Sequence, residues 1–199
     1  MKTKIYPILM LALIVGFTSC SKDDDNEVQT FNALVVDATT YTLAKGAYID
    51  YQNTILYGTT NTHYNYEFLT TDGIFVVNSA NELEDVKGKI AVYVDLYSAG
   101  ATSFKAGTYT FVSGANDATL TDAQLKTKYE NKNVCQYGFV VIGTIANASL
   151  GNVTEIDVKS GSVTIEGTKP NFKIIYDLVL ENNKTVKGSY SGAFALMLD

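Results

Sequence analysis

Few side chains in this sequence could do chemistry. There is one histidine, His63, and there are two cysteines, Cys20 and Cys135. In "THYNYEF", residues 62–68, His63 alternates with Tyr64, Tyr66 and Phe68 and shares a strand face with Asn65 and Glu67. It could act as a base beside an acid partner, but a lone histidine in such an alternating stretch is expected to face solvent. A Ser-His-Asp triad needs a presented serine, and no G-x-S-x-G segment occurs; "GSYSG", residues 188–192, has Tyr190 at its centre and reads as strand. Zinc needs several nitrogen or sulfur ligands, which one His and one remaining Cys do not supply. Cys135, close before the apolar run 137–142, reads as a small core residue rather than a reactive thiol. Asn116, Asp117 and Asp122 lack the spacing, glycine and final acid of an EF-hand loop. No cofactor and no metal are expected. The remaining carboxylates, Glu67, Asp95 and Asp177, could serve hydrolysis of a carbohydrate only where two of them meet across a cleft.

One further acidic pair stands in Glu155-Ile156-Asp157, where alternation sets both acids on one strand face. It resembles the opening of the E-x-D-x-x-E motif of laminarinase-type jelly-roll glycoside hydrolases, whose strand acids act as nucleophile, orienter and general acid. Ser160 stands where the resemblance requires the proton donor, and the chain has no tryptophan to floor a sugar cleft. The pair is therefore read as coincidental, and the chain is expected not to be an enzyme.

Aromatic surface remains. The sequence has 14 tyrosines, with local groups at Tyr48 and Tyr51, Tyr64 and Tyr66, and Tyr93 and Tyr97. A tyrosine offers a flat apolar face and a hydroxyl, a combination suited to stacking on sugars or packing at a protein interface. The candidate ligand-binding residues are accordingly Tyr93, Asp95, Tyr97, Tyr64 and Tyr66. Tyrosine also simply suits half-buried sheets, and most of these residues are read that way.

The elements that must hold these side chains are strands. Short runs of Val, Ile, Thr, Tyr and Phe alternate with Gly/Asn/Asp/Ser clusters, predicting strands over 31–38, 46–52, 63–70, 73–77, 89–97, 107–112, 137–148, 152–157, 162–166, 172–181, 185–192 and 194–198. Turns are expected at 71–73, 159–161 and 181–183. In "KIAVYVDLY", Ile90, Val92, Val94 and Leu96 share a core face opposite Ala91, Tyr93, Asp95 and Tyr97. "FKIIYDLVLE" divides the same way, and "YGFVVIG" reads as a central strand covered on both faces. One short helix is expected after the capping residue Thr121, and a single helical turn over 81–86. Residues 92–109 echo 174–190, with an Asp-Leu strand, a polar turn, a lysine and Gly-Thr/Ser-Tyr, so both are expected to be hairpins of one kind. The fold expected is an antiparallel β-sandwich of about ten to twelve short strands with one short helix; the alternative is a closed, lipocalin-like β-barrel.

The N-terminus concerns location. Lys2 and Lys4 precede an apolar run, residues 5–17, that is shorter than the ~20 residues a membrane-spanning helix needs. Residues 1–19 therefore read as a cleaved export signal. The "FTSC" that closes it resembles a bacterial lipobox, which implies lipidation of Cys20 and attachment to a membrane. Residues 20–29 read as a flexible acidic tether, and residues 30–199 as a single domain. "SKDDDNE", with Lys22, Asp23, Asp24 and Asp25, resembles the export signal of Bacteroidetes-type surface lipoproteins, implying display on the outer membrane. "GAYIDY" and "DLVLENNKTVKGSYSG" are similar to segments of small lipoproteins of gut Bacteroidetes, a likeness that implies no activity.

Cleavage would remove Lys2 and Lys4 from the 15 basic residues, leaving 13 against 21 acids, a net charge of −8. Every basic residue is lysine, so no arginine fork and no basic patch are present for phosphates. Nucleic acid is excluded as an expected partner. The expected partners are the membrane, through the lipid, and a glycan or surface protein held by a non-catalytic binding module. The alternatives are a structural or accessory subunit of a surface assembly, or a carbohydrate-active enzyme using strand carboxylates.

Overall fold

The computed structural model describes residues 32–145 and 153–198. Within them the chain is all-β, as expected, with eleven strands and one short α-helix. The strands are β1 (Ala33–Val36), β2 (Thr39–Thr42), β3 (Lys45–Thr54), β4 (His63–Thr71), β5 (Ile74–Val77), β6 (Leu83–Ala99), β7 (Gly107–Phe111), β8 (Val134–Ile145), β9 (Val153–Thr168), β10 (Asn171–Leu180) and β11 (Thr185–Met197). Helix α1 (Asp122–Tyr129) begins where Thr121 and Gln124 form a reciprocal capping box.

The strands join in one mixed sheet, ordered β10-β9-β7-β8-β6-β4-β3-β11-β1-β2, with β5 paired to the first part of β6. Two contacts are parallel, β11 with β3 and β7 with β8; the rest are antiparallel. Because β10 also pairs β11, the path of hydrogen bonds returns on itself. The interior is one aromatic and aliphatic cluster. Phe68 of β4 meets Phe172 of β10 edge-on at 5.2 Å and Phe194 of β11 at 5.6 Å, although β4 pairs with neither strand. These contacts therefore cross the core. Thr70 and Tyr176 share a hydrogen bond of 2.9 Å in the same interior, satisfying two buried hydroxyls.

Alternation explains which residues face this core. Ile90, Val92, Val94 and Leu96 are wholly buried, as are Ile174 and Leu178, while Asp177 between them is exposed. Several local expectations fail, three of them in strand boundaries and turns. The turn expected at 159–161 is continuous strand, because Gly161 (φ +116°) lies where a Cβ would strike Asp177 O, beside the register shift at Val179/Leu180. Its glycine marks a close backbone approach rather than a reversal. The helical turn expected over 81–86 is instead largely the start of β6, since pairing with β5 outweighs a six-residue helical preference. The strand expected over 31–38 is broken at Asp37 (φ 56°), whose two-residue loop starts β2.

The internal echo does not describe two equivalent hairpins. β10 and β11 form one, but β7 pairs β8 and β9 rather than β6. The loop between β6 and β7, residues 100–106, is thereby left to fold over the end of the core.

Candidate functional site

The five residues singled out by sequence do not share a surface. Tyr93, Asp95 and Tyr97 stand on the outer side of β6, opposite its buried Val92, Val94 and Leu96. Glu67 of β4 is the direct register partner of Asp95, and Asn65 that of Tyr97. Asn65 Nδ2 donates to Asp95 at 2.5 Å, and Tyr97 donates to the same carboxylate. Tyr93 bonds Glu67, and Tyr51 OH lies 3.5 Å from its carboxylate. Loss of solvent raises the Asp95 pKa to about 6, with the neighbouring Glu67 charge adding to it and the bonds from Asn65 and Tyr97 opposing it. The phenols of Tyr93 and Tyr97 are pushed up by burial and remain donors. Tyr93 stacks on Phe139 at 4.9 Å, and Tyr137 OH reaches Asp157 at 3.2 Å.

Glu67 and Asp95 thus meet on one face, while Asp177 lies elsewhere, 3.4 Å from Lys187. They sit side by side on a sheet surface and are bound by their own tyrosine and amide neighbours, not set across a cleft.

His63 does not face solvent. It is wholly buried, with Nε2 3.1 Å from Lys132 O and Nδ1 2.9 Å from Thr62 Oγ1. The segment that follows α1 covers it. Desolvation lowers its pKa, so the ring is held neutral, with the backbone carbonyl bonds opposing. This segment is fastened by Tyr129, whose hydroxyl donates to Asp117 and accepts from Gln136 at 3.1 Å. Cys135 is buried and unpaired in the core, as expected, and burial raises its thiol pKa. Among the described residues no group of three or more potential ligands is placed to hold a metal.

Tyr64 and Tyr66 point the other way, to the core side of β4, and help line a cleft of about 450 Å³ at the end of the sheet. Loop 100–106 and the β9–β10 turn form its other walls, bringing Phe104, Lys105, Lys169 and Phe172 to it. Phe104 stacks on two rings, nearly parallel to Tyr66 (4.3 Å, 4°) and to Tyr109 (5.3 Å, 2°). Its faces are consequently occupied, and it acts as a plug for the core. Tyr64, half-buried and edge-on to Tyr66 at 5.8 Å, retains ring surface at the cleft.

Beneath the rim, Asp50 accepts from Tyr66 OH at 3.1 Å and lies 3.5 Å from Lys169 Nζ. Tyr64 bonds the same carboxylate, and burial together with the Asp50 charge raises both phenols. The loop is pinned where Lys105 N donates to Ser98 Oγ (3.1 Å), Lys105 Nζ donates to Ala99 O (3.0 Å), and Tyr109 OH donates to Lys105 O.

Sequence reasoning found Tyr64 and Tyr66 but missed Asp50, Phe104, Lys105, Lys169 and Phe172. One available signal was Phe104 itself, a large apolar ring inside the small and polar stretch "SAGATSFKAG". Cys20 and the expected export-signal residues Lys22, Asp23, Asp24 and Asp25 lie outside the described residues. Compared with family models, curated proteins and solved structures, the chain matches none of them.

Proposed function

We propose that this protein is a lipid-anchored, surface-displayed binding module that holds an oligosaccharide at the cleft between β4, loop 100–106 and the β9–β10 turn, without reacting with it. The single observation that carries the reading is the cleft's make-up: about 450 Å³, with the rings of Tyr64, Tyr66, Phe104 and Phe172 beside a few polar groups. That volume and that mixture are those of small-ligand sites. The hydroxyls and amines around the rings can bond sugar hydroxyls, while Tyr64 meets the apolar side of a pyranose. The lipobox-like "FTSC" and the acids after it support display at the outer membrane.

The test is a glycan array probed with the full-length chain in detergent, followed by Tyr64→Ala. The expected outcome is a defined set of bound glycans, with affinity falling about ten-fold or more in the variant while a cooperative melting transition confirms that it folds. A blank array with well-folded protein, or binding indifferent to Tyr64→Ala, overturns the reading.

A second reading, as a subunit of a surface assembly, is favoured by β2, which ends the sheet path and, among the described residues, pairs only β1. Such an edge can accept a strand from another chain. Cross-linking on intact cells that captures a partner through β2 residues supports it; a monomer unaffected by Thr40→Pro in all assembly assays counts against it.

A further inference from the structure

We infer that the cleft is built for an acidic saccharide, one that presents a carboxylate beside the apolar face of its ring. This rests on the oligosaccharide reading and narrows it.

Among the described residues, the lining contributes two cations, Lys105 and Lys169, and no acid. The nearby acid, Asp50, is set back, with its carboxylate engaged by the Tyr64 and Tyr66 hydroxyls and by Lys169. One negative charge behind two positive ones leaves the rim positive, on a chain whose net charge is −6. A positive rim on an acidic molecule departs from its average surface, and low-dielectric cleft walls concentrate its field on an entering anion.

Lys105 is also preset. Its backbone N–H is tied to Ser98 and its ammonium to Ala99 O at 3.0 Å, which limits the swing of a flexible side chain. An ammonium carries three donors, and the Ala99 bond uses one. With the faces of Phe104 covered by Tyr66 and Tyr109, Tyr64 is the ring left to take a pyranose. A sugar seated there places a ring carboxylate toward the lysines. A neutral sugar would use the aromatic wall and leave the rim's surplus positive charge unanswered, since Asp50 offsets Lys169 alone.

The test is isothermal titration of the full-length chain in detergent. The probes are a panel of uronic- and sialic-acid oligosaccharides, the methyl esters of the same compounds, and neutral oligosaccharides. Esterification keeps the ring and removes the charge. The expected result is at least one acid bound about ten-fold or more tighter than its ester, with the gap shrinking as salt rises from about 50 to about 300 mM. Lys105→Gln and Lys169→Gln should each weaken the acid about three- to ten-fold and leave the ester unchanged, with melting temperatures confirming the fold. Equal affinity for acid and ester, binding of neutral sugars only, or indifference to both lysine variants overturns the acidic preference while leaving the oligosaccharide reading intact. Silence of every arm, with a normal melting transition, overturns both.

Discussion

At the scale of single residues, the outer face of β4 and β6 holds a strongly perturbed carboxylate. Asp95 has a folded pKa near 6 against an ordinary 3.8, because it is removed from water beside Glu67. A raised carboxylate pKa means the native state binds the proton more tightly than the unfolded chain does. Between about pH 6 and pH 4 protonation therefore stabilises the fold, and that contribution is lost as pH rises through 6. Asp95→Asn keeps an acceptor for Asn65 and Tyr97 but carries no charge. It should be more stable than the parent by about 1–2 kcal/mol at pH 7.5, with the gap closing towards pH 4. Comparison with the parent is essential because His63 acts in the opposite sense. Its lowered pKa withdraws stability as pH falls below the ordinary histidine value. Thermal melts of both proteins from pH 4 to 8 check this, and parallel curves would sink it. At this scale the sequence was legible in part. Alternation put Tyr93, Asp95 and Tyr97 on one face, as found. The same alternation placed His63 outside the core side, but could not reveal that a distant segment, reaching Lys132, returns to cover it. Phe104, Lys105 and Lys169 belong to connections whose position follows from tertiary closure, and no periodicity reports that.

At the scale of elements, β11 is the strand on which the sheet depends. Its first nine residues pair β10, four of these also pair β1, and residues 194–197 run parallel to β3. Sequence patterning identified its residues but divided them into two strands, because Gly192 and Ala193 interrupt the apolar pattern without interrupting the hydrogen bonds. The same blindness affected β9, where a close-approach glycine imitated a turn. Gly188 of β11 makes the physical point testable. Its φ is +148°, and a Cβ there would strike the Ala33 carbonyl of β1. Gly188→Ala must therefore push β1 away or distort the ladder, losing several backbone bonds and exposing Leu34 and Val36, both now buried. A loss of about 3 kcal/mol or more in urea unfolding is expected, whereas Ser191→Ala at an exposed site should cost under about 0.5 kcal/mol. Similar costs for the two would refute the account. The capping box of α1 offers a smaller effect: Thr121→Ala should lower stability by about 1 kcal/mol in the same assay.

At the scale of the whole molecule, the all-β scaffold and the proposed address draw on different kinds of signal. All-β architecture was legible because binary alternation and Gly/Asn/Asp punctuation recur along the entire domain. The cleft was not, because it forms where β4, the β6–β7 loop and the β9–β10 turn converge from sequence positions more than a hundred residues apart. The proposed address would rest on another kind of signal, a short linear one read by processing enzymes rather than by folding. If "FTSC" and "DDD" act as their resemblance implies, lipidation and surface display are separable. Cys20→Ser removes the acceptor thiol, so radiolabelled palmitate should no longer enter the protein and the chain should leave the membrane fraction. Two or more acyl chains are needed for stable anchoring, and none would be attached. Replacing Asp23, Asp24 and Asp25 with alanine should leave the label and the membrane fraction unchanged, while protecting the domain from protease added to intact cells. Label retained by Cys20→Ser would remove the anchor from the account. Unchanged surface cleavage in the triple alanine variant would remove the acidic run from it, leaving lipidation as the whole of the address.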